Sequence, residues 1–214
     1  MQKTCLATLL AIFISTSISA AELIELTSKN YAEAGEQKAV VIFHVNWGRY
    51  WKCAGLDNAQ LQALTFSRIQ TKESKSSDAT IPIETPSKLV VKDSFVPYVL
   101  LIEPGEYALS SFDVKVARSS SDVGHLKGDA ANLIKDKKSI GGTFTVAPGE
   151  IVYIGHFGLD CAKEPFLWRY YIEGRKDFDR YVAGFRKEFP FVQNKPVQFR
   201  LFSTIMFGQA YSLE

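Results

Sequence analysis

The stretch Thr143-Phe144-Thr145-Val146-Ala147-Pro148-Gly149-Glu150-Ile151-Val152-Tyr153-Ile154-Gly155 sets two runs of β-branched and aromatic residues on either side of one Pro-Gly pair. Proline presets φ at the first turn position and glycine accepts the positive φ of the second, so the segment reads as strand, type II turn, strand. The same grammar occurs upstream, where the apolar run Phe95 to Ile102 is closed by Glu103-Pro104-Gly105-Glu106 and Tyr107 to Val116 returns. Two such units are either an internal echo or two hairpins built on the same turn. The hairpin reading is the simpler, and it argues for an antiparallel sheet system. In the return strand Tyr107 and Leu109 share one parity and Phe112, Val114 and Val116 the other, a phase slip near Ser110-Ser111 that predicts a β-bulge.

Working outward, Lys38 to Trp47 is a further strand, with Val41, Phe43 and Val45 on one face and Ile42, His44 and Asn46 on the other. Its density of apolar residues places it at or near the centre of a sheet. Residues 57–70 suit a short helix or a strand, and Leu64-Thr65-Phe66-Ser67-Arg68-Ile69 tips the reading to strand. Phe166 to Ile172 and Val197 to Phe202 are the remaining strands. Lys176 to Phe189 carries Phe178, Tyr181, Val182, Phe185 and Phe189 on one helical face, with Asp177 as candidate cap and Pro190 as stop. Gly184 inside that helix points to close packing at its position. Polar residues 71–88 and 119–142 read as surface loops, mobile in character, with a helical turn at Ala130-Ala131-Asn132-Leu133-Ile134. The expected fold is mainly β: an antiparallel β-sandwich of six to eight strands with one amphipathic helix packed near the C-terminus.

Residues 1–20 have the order of a cleavable secretory signal: a basic start with Lys3, an uncharged stretch from Leu6 to Ile18, then Ser19-Ala20-Ala21 before the first acid, Glu22. That apolar stretch is too short to span a bilayer. Cys5 precedes it, whereas a lipid-attachment cysteine follows such a run, so Cys5 is expected to leave with the signal. The expected mature chain is a single domain over 22–214, periplasmic or secreted. Against 25 basic and 23 acidic residues, removal of Lys3 leaves the charge close to neutral. Such a balance offers no footprint for nucleic acid, and no second apolar run is long enough for a membrane span.

Two cysteines remain, Cys53 and Cys161, and in an oxidising compartment they are expected to pair. The segment Val40 to Cys53 is similar on its surface to the strand and active-site turn of thioredoxins. Redox exchange there needs a second nearby thiol, and Cys53 stands alone, so the structural bridge is the preferred reading.

Chemistry leaves little trace. His44, His125 and His156 stand at no metal spacing, the carboxylates are scattered, and no nucleophile elbow, phosphate loop or dinucleotide fingerprint is present. No catalytic residue, metal ligand or cofactor is therefore assigned. The aromatic string containing Trp168 and Tyr170, together with His156 between two glycines, supplies the candidate ligand contacts. The turn signatures and the helix ending Glu188-Phe189-Pro190 resemble exported bacterial β-sandwich domains of unknown function, over roughly residues 39–205. That resemblance implies the fold and brings no activity. The expectation is a non-enzymatic binding or interaction module with a protein partner in the cell envelope. The alternatives are a periplasmic hydrolase using dispersed histidines and acids, and a carrier of a sugar or apolar ligand.

Overall fold

The computed structural model describes residues 24–69, 79–86, 94–136 and 138–214. The proposed signal at 1–20, with Cys5, lies outside them, as do 71–78 and 87–88 of the first loop. In chain order the elements are α1 (Ser28–Ala34), β1 (Ala39–Asn46), β2 (Arg49–Trp51), β3 (Asn58–Arg68), β4 (Thr80–Glu84), β5 (Phe95–Ile102) and β6 (Gly105–Ala117). There follow β7 (Val123–Gly128), α2 (Ala130–Leu133), β8 (Ile134–Lys135), β9 (Lys138–Ser139), β10 (Thr143–Val146), β11 (Ile151–Asp160), β12 (Phe166–Tyr170), α3 (Arg175–Glu188) and β13 (Val197–Phe199).

The first sheet runs β12-β11-β1-β5, with β13 beside β11; the second runs β10-β6-β3-β2, with β4 on β3 and β7 on β6. Val41, Phe43 and Val45 from the first sheet and Leu61, Leu64 and Phe66 from the second share one buried core. A second core lies on the outer face of the first sheet, where Val40, Ile42, Ile151 and Tyr153 meet Phe178, Val182 and Phe185 of α3. The molecule is thus a β-sandwich with the helix as a third layer. β1 is buried on both faces, as its nearly unbroken apolar run requires, and His44 is its one residue that is not fully buried. At the N-terminal end, Thr27 and Asn30 form a reciprocal capping box that starts α1.

Neither Pro-Gly unit is a hairpin. β5 belongs to the first sheet and β6 to the second, and β10 and β11 are divided likewise, so each Pro-Gly-Glu corner carries the chain from one sheet to the other. Turn chemistry fixes a reversal of direction and not the partner that follows it, and here the partners are non-local. Gly149 has φ 72, as a type II corner needs. Its Glu150 accepts from the Ala147 amide and takes a two-pronged ion pair from Arg200, at 2.8 and 2.9 Å. The crossing makes β1 and β11 parallel neighbours in an otherwise largely antiparallel system.

The bulge near Ser110 is present. Thr65 pairs with Ser111 and Phe66 with Leu109, leaving Ser110 as the extra residue, its hydroxyl 3.2 Å from the Thr65 carbonyl that accepts its proton. Both polar stretches contain order that composition hides. Thr80–Glu84 is β4 on the edge of β3, and Val123–Gly128 is β7, antiparallel to β6. β4 buries Ile81 and Ile83 on one face and β7 buries none of its residues, which explains why polar sequence suffices. Asp177 lies in the first turn of α3 and is not its cap; that position is Gly174. The last strand is shorter than expected, ending at Phe199.

Cys53 and Cys161 are joined, closing a separation of 108 residues. On the chain-entropy account such a loop restricts the unfolded state by about 4 to 5 kcal/mol. Replacing both cysteines with alanine should therefore lower stability by about 2 to 5 kcal/mol in urea unfolding. A loss below about 1 kcal/mol would show that the unfolded chain is already confined.

Candidate functional site

His44 and His156 sit on neighbouring parallel strands, directly opposite each other in register. That meeting depends on a second bulge. Ile42 pairs with Tyr153 but Phe43 pairs with Gly155, so Ile154 is an extra residue and the phase of β11 shifts by one. Ile154 stays in the inter-sheet core, and His156, which unbroken alternation would also send there, emerges beside His44 on the outer face. Gly155 makes this local geometry with φ 110, and a Cβ there would stand 2.9 Å from the Tyr170 carbonyl. Both reasons exclude a side chain.

The two imidazole rings lie edge to face with centroids 4.3 Å apart. Tyr181 of α3 packs on His44 at 5.5 Å, and Tyr153 packs on His156 at 5.5 Å. Phe95 lies 5.0 Å from His156 and 5.9 Å from Tyr170, whose hydroxyl donates to the Leu159 carbonyl. Burial pushes His44 down from 6.5 to about 4, and burial together with the neighbouring His44 pushes His156 down to about 3. Both rings are neutral at pH 7. Nδ1 of His44 and Nε2 of His156 are buried without a hydrogen-bond partner among the described residues. Each such orphan costs about 1 to 3 kcal/mol.

Beside this pair runs a groove of about 850 Å³ between α3 and β5, with Glu25 and Leu26 also in its lining. Val99, Tyr181 and Phe185 make its walls, and His44 is a polar point on them. Glu25, Arg180 and Glu188 supply charge to the lining. Gly184 faces into it: a Cβ built there meets nothing within 4 Å. The close packing expected at Gly184 is therefore absent, and its missing side chain widens the groove instead.

β5 is the outer strand of its sheet. Residues 24–26 add to its upper part, Leu26 donating to the Val99 carbonyl and Leu101 to the Ile24 carbonyl, both at 2.9 Å. Pro97 shares the parity of Val99 and Leu101, so its missing N–H is on the side facing away from the sheet. Proline there blunts the edge against addition of another strand.

Of the candidate contacts read from sequence, His156 and Tyr170 come together through Phe95. Trp168 shares their face, across from Gly158, and joins no ring pair among the described residues. Alternation along β12 buries Leu167 and Arg169 and leaves Phe166, Trp168 and Tyr170 half-exposed. Nothing local in the sequence marks His44, Tyr181 and Gly184 as one site. The visible signal for His44 was a lone histidine in an apolar strand; nothing local links it to residues over a hundred positions away. His125, by contrast, is an exposed partner of Asp113 at 2.6 Å, far from this group in register. Among the described residues no three histidine, cysteine or acidic side chains are placed to hold a metal ion. No protein-family model matches the chain, and no curated protein or solved structure gives a significant match.

The histidine pair makes a stability prediction. Both folded values lie below the unfolded 6.5, so their contribution is complete above that pH and is lost as pH falls towards about 4 and 3. The unfolding free energy should fall by up to about 2 to 3 kcal/mol per pH unit across that window. A double His44→Gln, His156→Gln variant should show a flatter profile between about pH 6 and 4.5. Glu150, held low by its hydrogen bonds from Arg200, contributes at and below its ordinary 4.5, and so should remain in the variant. An unchanged profile above 4.5 would refute burial of the pair as neutral rings.

Proposed function

We propose that this chain is an exported, non-enzymatic binding module of the cell envelope, and that the groove between α3 and β5 takes an elongated apolar group. The observation that carries this reading is Gly184. A glycine inside a helix costs about 1 kcal/mol against alanine, and this one has no close backbone approach to require it. What its absence of a side chain provides is width, in a groove whose volume falls in the range of small-ligand sites.

The chemistry of the lining agrees. Apolar walls supply the driving force for burying an apolar chain. His44, kept neutral by burial, offers one polar contact without the desolvation cost of a charge. Among the described residues no carboxylate hydrogen-bonds to either histidine to orient it as a general base, and this favours binding over hydrolysis. Pro97 argues against the other mode of engagement, strand addition to the open part of β5. The disulfide fits an oxidising compartment, as does the signal-like order of residues 1–20.

The test is titration with N-phenyl-1-naphthylamine, an apolar dye that brightens when buried. The parent protein should bind it. Gly184→Phe should weaken binding by about tenfold or more by filling the groove, while Ile205→Ser, on an exposed residue outside the groove lining, should not. Gly184→Ala should raise stability by about 0.5 to 1 kcal/mol, as an open helix position allows. Dye bound equally by the Gly184→Phe variant would remove the groove from this role.

A further inference from the structure

At a site independent of that groove, β2 ends in a tight segment beside the disulfide. Trp51 is 59% exposed, and the Arg49 guanidinium lies 5.3 Å from its ring centroid. Nε of Arg49 is buried with no hydrogen-bond partner among the described residues. The next residue, Lys52, has φ 55 and Ala54 has φ 48, two non-glycine residues in the left-handed region on either side of Cys53. Such conformations persist only where the surroundings impose them, and the bond to Cys161 anchors this segment. An exposed indole thus stands beside a strained backbone that a covalent bond anchors, the reverse of a side chain left on the surface by chance.

Around it is an open cleft of about 540 Å³. Lys115 reaches it from β6, Asn58 from β3, and Ser119 and Ser120 from the turn after β6. Its one acid, Asp57, is taken by Lys52 at 3.0 Å. Arg49 and Lys115 have no ion pair among the described residues, leaving the cleft with a positive surplus. We propose that this cleft binds an anionic saccharide. The C–H face of a pyranose ring is apolar and packs on an aromatic face, its hydroxyls suit serine and asparagine, and a carboxylate or sulfate on the sugar answers Arg49 and Lys115. The near-neutral chain as a whole gives no broad basic surface of the kind nucleic acid needs, so the recognition is local.

Calorimetric titration of the disulfide-bonded protein with a short oligogalacturonate tests the assignment, with a cello-oligosaccharide as the neutral counterpart and a sulfated oligosaccharide to separate the two sources of charge. The acidic sugar should bind and the neutral one should not. Trp51→Ala should weaken binding by about tenfold, the factor expected for loss of one aromatic stack. Lys115→Gln should weaken it by about three- to tenfold and reduce its dependence on salt. Circular dichroism confirms that each variant is folded. Binding of the sulfated sugar alone would keep the anionic-saccharide class and assign the charge to sulfate. Equal binding of the neutral sugar, unchanged affinity in folded Trp51→Ala, or no binding of either acidic probe at millimolar concentration would overturn the proposal.

Discussion

Everything in this structure is arranged around the burial of β1 on both of its faces. A strand in that position needs an opposing sheet on one side and a covering layer on the other, and it needs a hydrogen-bonded neighbour at each edge. The second sheet meets the first requirement and α3 with α1 and the C-terminal strand region the second. β5 and β11 supply the edges. His44 is the one residue of β1 whose burial is incomplete, its ring packed on Tyr181 of α3. The site is the place at which the demand for two-sided burial is met only in part, and the local result is an imidazole whose buried Nδ1 has no hydrogen-bond partner among the described residues, with a groove beside it.

Much of this architecture is legible in the sequence, because it depends on local grammar. The two faces of β1, the bulge at Ser110, the helical turn at residue 130 and the extent of α3 each follow from the alternation or spacing of side chains. The pairing of Cys53 with Cys161 follows from there being two cysteines beyond the proposed signal. What stayed hidden depends on distant partners. Pro-Gly announces a corner, yet whether the chain returns beside itself or enters the facing sheet is decided by strands elsewhere, and at both corners it enters the facing sheet. β4 and β7 are concealed because an edge strand with at most one buried face has a composition close to that of a loop.

The candidate site shows the same division more sharply. His156 and Tyr170 were visible as residues of interest, while the partnership of His156 with His44 was not. Reading β11 by strict alternation puts Ile154 and His156 on one face, and only the bulge before Gly155 separates them. A glycine flanked by strand residues signals such an irregularity without saying which side chain it redirects. Gly184 carried an opposite lesson: helix propensity marks it as costly, but whether the cost reflects a tight contact or an open space depends on what lies across from it.

The parallel pairing of β1 with β11 also bears on how the chain comes to be folded. Strand β1 is synthesised more than a hundred residues before β11, so the edge the two share cannot be filled until residues 151–157 have followed. For that interval a nearly unbroken apolar strand with open hydrogen-bonding groups is exposed, and contacts of such sequence separation form slowly. The order in which strands arrive, as well as the stability of the finished sandwich, therefore bears on its exposure to aggregation.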